Sequence, residues 1–86
     1  MKLQVIVTLK KDVLDPQGSA IKNSLRNMGF KNVENVRQGK IFDLVVKEKN
    51  EKDAISKAKQ MCEKLLANLT IEDYSIKITK EWRLAS

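Results

Sequence analysis

The stretch KNVENVRQGKIFDLVVKEK, Lys31 to Lys49, decides the fold of this 86-residue chain. It reads as two strands joined around Gln38–Gly39–Lys40, which is hairpin-turn chemistry. In the second strand Phe42, Leu44 and Val46 share one face, while Ile41, Asp43 and Val45 share the other. That period of two is the mark of a half-buried strand.

On the N-terminal side, KLQVIVTLK alternates in the same way: Leu3, Val5, Val7 and Leu9 fall on one face, and Gln4, Ile6 and Thr8 on the other. The connection LKKDVLDPQG follows. Asp15 before Pro16 is a helix start, because proline suits the first helical position and the carboxylate accepts from free N–H groups of the first turn. Ala20, Ile21, Ser24, Leu25 and Met28 keep the helical period, and Gly29 closes the helix as a left-handed cap. On the C-terminal side Asn50 caps a second helix, with Asp53 near its positive end. Its apolar stripe is Ala54, Ile55, Ala58, Met61, Cys62, Leu65 and Leu66. A last strand, DYSIKIT, sets Tyr74, Ile76 and Ile78 on one face.

The order strand, helix, strand, strand, helix, strand predicts a ferredoxin-like α+β sandwich. Its four-stranded antiparallel sheet would carry both helices on one face, with the first and third strands central. The domain is expected to span residues 1–79, followed by a short tail over 80–86.

Composition excludes much. A chain this short holds one core and has modest stability alone. One cysteine and no histidine supply neither an internal disulfide nor a zinc site, which leaves self-association as the source of support. No apolar run is long enough to span a membrane, and no signal-peptide pattern opens the chain, so a cytoplasmic location is expected. The net charge of +6 is spread over helices and loops without a run of five like charges, the pattern of a solvated surface.

Chemistry is equally sparse. Gly18 is the only glycine in the first connection, too few for a phosphate cradle. Without histidine the usual neutral-pH acid–base group is missing. Cys62 lies in an apolar stripe and reads as a core residue. Asp12, Asp15, Glu72 and Asp73 are accounted for by loop solvation, capping and a turn. The expectation is no catalytic residue, no metal and no cofactor on this chain. An RNA-recognition module would show aromatics where the open face carries Gln4, Ile6, Thr8, Ile41, Asp43 and Val45. A metal chaperone of this fold would need a Cys-x-x-Cys loop. A small-ligand regulatory domain of ACT type remains as the alternative.

Three surfaces are candidates for contact. Ile6, Ile41 and Val45 point to the open sheet face and are a candidate self-association patch. Lys10, Lys11 and Asp12 have no structural explanation in the connection and are a candidate partner-docking loop. Trp82, in the tail, is a candidate interface anchor.

Three segments in this order, VTLKKDVLDPQGSAIKNSLRNMGF, VRQGKIFDL and MCEKLLANLTIEDYSIKI, resemble the PurS family, the small subunit of phosphoribosylformylglycinamidine synthase. The resemblance runs from Met1 to about Thr79; the tail departs from it, so Trp82 inherits no role. It implies a non-catalytic subunit, usually a dimer, joined to a large ATP-binding synthetase subunit and a glutaminase subunit. The assembled enzyme of purine synthesis would turn formylglycinamide ribonucleotide, ATP and glutamine into formylglycinamidine ribonucleotide, ADP, phosphate and glutamate. ATP and Mg²⁺ are expected on the large subunit. The small one would hold the two active sites together and help keep ammonia from escaping.

Overall fold

The computed structural model describes residues 1–79. The elements are β1 (Lys2–Leu9), α1 (Pro16–Asn27), β2 (Gly39–Val45), α2 (Glu51–Met61) with a π-helical turn (Cys62–Leu66), and β3 (Glu72–Ile78). They form an α+β fold whose sheet is three-stranded and antiparallel, in the order β2–β1–β3.

β1 is central, and both neighbours register against its alternating apolar residues. Leu3 pairs with Leu44 and Ile78, Val5 with Phe42 and Ile76, and Val7 with Lys40 and Tyr74. These rows stack apolar side chains on one face, and Leu3, Val5 and Val7 are almost fully buried there. α2 lies on that face, over β1 and β3. It does so through Ala54, Ala58 and Cys62, each without solvent exposure. Two of these are alanines, so the helix approaches the sheet closely.

The π turn then changes the register. The N–H of Ala67 donates to the carbonyl of Cys62 at 2.9 Å, five residues back, so the next buried position after Cys62 is Ala67 rather than Leu66. The expected stripe is therefore split. Its inner line reaches the core, while Leu65 is turned out to 83% exposure.

Two expectations are corrected. Among the described residues Lys31–Gln38 forms no strand, so the sheet has three strands and not four, and the outer edge of β2 pairs with nothing. The segment is held elsewhere. The Gln38 N–H is taken by the Asp15 side chain, and the Arg37 guanidinium by carbonyls of the first connection, which draws this segment along α1 instead of beside β2. Nor do both helices cover the sheet. α1 makes no extensive contact with the sheet or with α2 among the described residues. The chain spans 49 × 33 × 17 Å with a Cα radius of gyration of 16.1 Å, against about 12 Å for a compact chain of this length. Residues 10–38 form a projecting arm.

Candidate functional site

The arm is well made locally although it packs on nothing large. Asp15 caps α1, its Oδ1 accepting the Gly18 N–H at 2.8 Å, and Pro16 stands in the first turn. At the far end the Gly29 N–H donates to the Arg26 carbonyl and the Phe30 N–H to the Leu25 carbonyl. Gly29 has φ 107°, so the helix ends in a Schellman cap that its glycine permits.

The root of the arm is a polar clamp. Asp15 is buried, and its second oxygen accepts the Gln38 N–H at 3.0 Å. Arg37 donates to the carbonyls of Val13 at 3.0 Å, Lys10 at 2.9 Å and Leu9 at 3.4 Å. The side chains of Gln38 and Gln17 are hydrogen-bonded to each other. Gly18 is buried against the carbonyl of Val36 and admits no Cβ without displacing it. Below the clamp lies a small crevice of about 150 Å³, floored by Val7 and rimmed by Asp15, Gln38, Lys40 and Glu72. The Lys40 ammonium stands 3.5 Å from the Glu72 carboxylate. Sequence reading missed Arg37, Lys40 and Glu72. A lone arginine beside a turn carries no local signal for carbonyls twenty or more residues away.

Hydrogen bonds from Gly18 and then Gln38, aided by the Arg37 charge, hold the Asp15 carboxyl below its ordinary value of 3.8 against the opposing effect of burial. The folded chain thus binds this proton less tightly than the unfolded chain does. The stability it contributes is complete above the ordinary value and is lost as pH falls through the lowered one. Asp15→Asn is expected to flatten that part of the acid limb, read as urea midpoints from about pH 2 to pH 6. A variant whose acid limb superimposes on the parent's would show that Asp15 is not its source.

The expected contact residues are placed as follows. Ile6 and Ile41 are direct cross-strand partners on the open face, but Val45 lies beyond Asp43. The Gln4 amide donates to the Asp43 carboxylate at 3.2 Å and separates it from the pair, so the three do not form one patch. Lys10 gains a structural role. Its N–H donates to the Ile71 carbonyl at 2.9 Å, its carbonyl serves Arg37, and its ammonium lies 3.9 Å from Asp73. Lys11 and Asp12 form an exposed turn. Trp82 and the tail lie outside the described residues.

Burial, with a smaller contribution from Glu63, pushes the Cys62 thiol up, which makes it a poorer nucleophile. Among the described residues no three His, Cys, Asp or Glu side chains gather to hold a metal. No helix there is long and apolar enough to cross a membrane. An apolar groove of about 400 Å³ lies between β2 and the outer line of α2, lined by Leu44, Met61, Leu65 and Leu66 together with Lys57 and Lys64.

Residues 2–80 match the model of the PurS family, described as phosphoribosylformylglycinamidine (FGAM) synthase. The chain belongs to the PurS family. It is 48% identical over 77 residues to the PurS subunit of phosphoribosylformylglycinamidine synthase from Bacillus subtilis, covering 90% of each chain. With the corresponding Methanocaldococcus jannaschii subunit it shares 43% over 79 residues, covering 92% of this chain and 95% of the relative. The crystal structure of Methanocaldococcus jannaschii PurS, one of the subunits of formylglycinamide ribonucleotide amidotransferase, superimposes with a TM-score of 0.85 at 43% identity. That superposition covers 94% of this chain and 98% of the other, too much to leave out the arm. A chain in the structure of PurLQS from Thermotoga maritima superimposes with a TM-score of 0.82 at 33% identity, covering 88% of this chain and 93% of that one. Nothing in these PurS matches supports the ACT-type alternative.

Proposed function

We propose that this chain is the small structural subunit of phosphoribosylformylglycinamidine synthase and supplies no reacting group of its own. In this reading it joins a glutaminase subunit to an ATP-binding synthetase subunit in the cytoplasm, and assists ammonia transfer between them in purine biosynthesis. ATP and Mg²⁺ belong to the synthetase subunit. The observation that carries the reading is the family match over residues 2–80. The surface agrees with it. Leu14, Met28, Phe30 and Leu65 are all more than half exposed, which is the surface of a piece of an assembly rather than of a finished monomer.

Ammonia is mostly protonated at neutral pH, and ammonium is no nucleophile. A tight joint between the two active sites keeps the released ammonia neutral and near its target, which raises its effective concentration. A subunit that contributes only geometry can therefore change the rate. In this reading the chain is self-associated through the open sheet face that carries Ile6, Ile41 and Val45, and the loop of Lys10, Lys11 and Asp12 faces the partner subunits.

Reconstitution with the glutaminase and synthetase subunits of the same organism tests this. Omitting the chain is expected to lower glutamine-dependent formation of formylglycinamidine ribonucleotide at least tenfold, while synthesis from free ammonia continues. Glutamine-dependent synthesis at an undiminished rate without the chain would overturn the reading.

A further inference from the structure

Two cavities meet at the root of the arm, and only one of them has its charges balanced. The crevice rimmed by Lys40 and Glu72 holds its cation 3.5 Å from a carboxylate. Its neighbour shares Leu9 and Gln38 with it and has a volume of about 400 Å³; Thr8, Lys11, Asn35 and Arg37 complete the lining. That lining contains two cations and no acid. Asp12 follows Lys11 in the turn but forms no part of the wall. Asp15 spends its two oxygens on the Gly18 and Gln38 N–H groups.

The two cations are held differently. Arg37 is pinned by the carbonyls of Val13, Lys10 and Leu9, all of them neutral. No carboxylate stands within ion-pair distance of it among the described residues. Those bonds orient the guanidinium plane without neutralising it, and they use only part of its donor set. Lys11 is exposed and reaches the cavity from the outgoing segment. Its ammonium, the Asn35 amide and the Thr8 hydroxyl enter no hydrogen bond or ion pair among the described residues. A concave wall of one sign focuses its field into the space it encloses.

The occupant such a wall suits is an oxyanion, and charge selects which. A carboxylate would neutralise one cation and leave the other. A phosphate monoester carries a charge of about −1.5 to −2 at pH 7, and its terminal oxygens can accept from both cations and a neutral donor at once. Size agrees, since the volume lies within the roughly 300–1,000 Å³ of small-molecule sites. Leu9 is the one apolar residue in the lining, which suits a polar phosphorylated molecule rather than an apolar one. We propose that this pocket binds the phosphate group of a small phosphomonoester, with Arg37 and Lys11 as its cationic ligands and Asn35 and Thr8 as neutral donors. Lys11 belongs to the outgoing segment, Asn35 and Arg37 to the returning one, so a bound phosphate bridges the two and stiffens the root of the arm. The inference goes beyond the structural role proposed above and does not depend on it.

The test is a titration of the isotope-labelled full-length chain with glycerol 3-phosphate at constant ionic strength, followed by NMR. Saturable shifts are expected at the backbone amides of Lys11 and Arg37 and at the side-chain N–H signals of Asn35 and Arg37. Lys11→Gln, at an exposed position whose side chain has no bond to lose, is expected to weaken binding at least about tenfold. Its circular dichroism and melting temperature without ligand should match the parent's, which separates loss of the site from loss of the fold. Arg37→Gln removes the straps as well as the charge, so Lys11→Gln carries the decision. Acetate is expected to bind at least about tenfold more weakly, and sodium chloride to give no saturable shift. Three results would each overturn the proposal: no shift beyond that of ionic strength, an unweakened Lys11→Gln variant, or equal affinity for acetate. The last is the result expected if the pocket instead receives a carboxylate of a partner subunit. Binding is read on this chain alone, so failure of the synthase reading and failure of this one are separate outcomes.

Discussion

Gly18→Ala is expected to unfold the root of the arm and lower the melting temperature by about 10–20 °C, from a cost of about 2–3 kcal/mol. The sign is opposite to helix propensity, by which alanine within a helix gains up to about 1 kcal/mol over glycine. The reason is space. A Cβ at position 18 collides with the backbone carbonyl of Val36 and would come within 2.9 Å of an Asp15 carboxylate oxygen. Neither neighbour is free to give way. The carbonyl belongs to a segment pinned at Arg37 and Gln38, and the carboxylate already accepts from Gly18 and Gln38. Relief requires the outgoing and returning segments of the arm to part, which breaks those bonds together. Differential scanning calorimetry reads the loss. A variant as stable as the parent would mean that the close approach does not exist in solution.

Leu3→Ala is expected to cost about 3 kcal/mol, within the range of roughly 2–5 kcal/mol for removing a buried leucine. Leu3 has no solvent exposure and packs against Ala54 and Ala58, with Leu44, Ile76 and Ile78 around it. Both helix neighbours are already truncated to a methyl group, so no long side chain can swing in from α2 to fill the cavity. A domain of this size has a total stability of about 4–13 kcal/mol, so the loss is a large share of it. Urea titration at a fixed chain concentration is the measurement, because coupling to self-association would otherwise shift the midpoint. A loss under about 1 kcal/mol would show that the sheet and α2 close over the gap.

The two variants act on different parts of the molecule. Leu3 belongs to the body of sheet and α2, whereas Gly18 belongs to the arm. Combined, they are expected to add, since they share no partner. The elements of both parts were legible in the sequence because their signals are local and redundant. The alternation of β1, the Asp15–Pro16 start, the Gly29 cap and the Asn50 cap each announce an element within a few residues, and each stands where expected. The helix-facing residues Leu3, Val5, Val7, Phe42, Leu44, Val46, Ile76 and Ile78 all reach the two core clusters.

The errors share a different origin. Val33 and Val36 fall in the stretch expected to be a strand, yet their spacing of three is not the period of two, and Asn32 and Asn35 beside them suit turns. The stripe on α2 predicts one face, but a single π turn divides it between core and groove. On the open face Ile6 pairs directly with Ile41 while Val45 lies opposite Lys2, an arrangement set by register, which no single strand specifies.

By itself, then, the sequence determined the elements, their caps, the buried face of the sheet and the family. Only the tertiary structure decided that α1 leaves the body and that Lys31–Gln38 follows it rather than pairing with β2. Apolar periodicity states that a face will be buried, and is silent on which chain buries it. That choice rests on the bond from Gln38 to Asp15 and those from Arg37 to Val13, Lys10 and Leu9, which span 23 to 28 positions and leave no trace in local pattern.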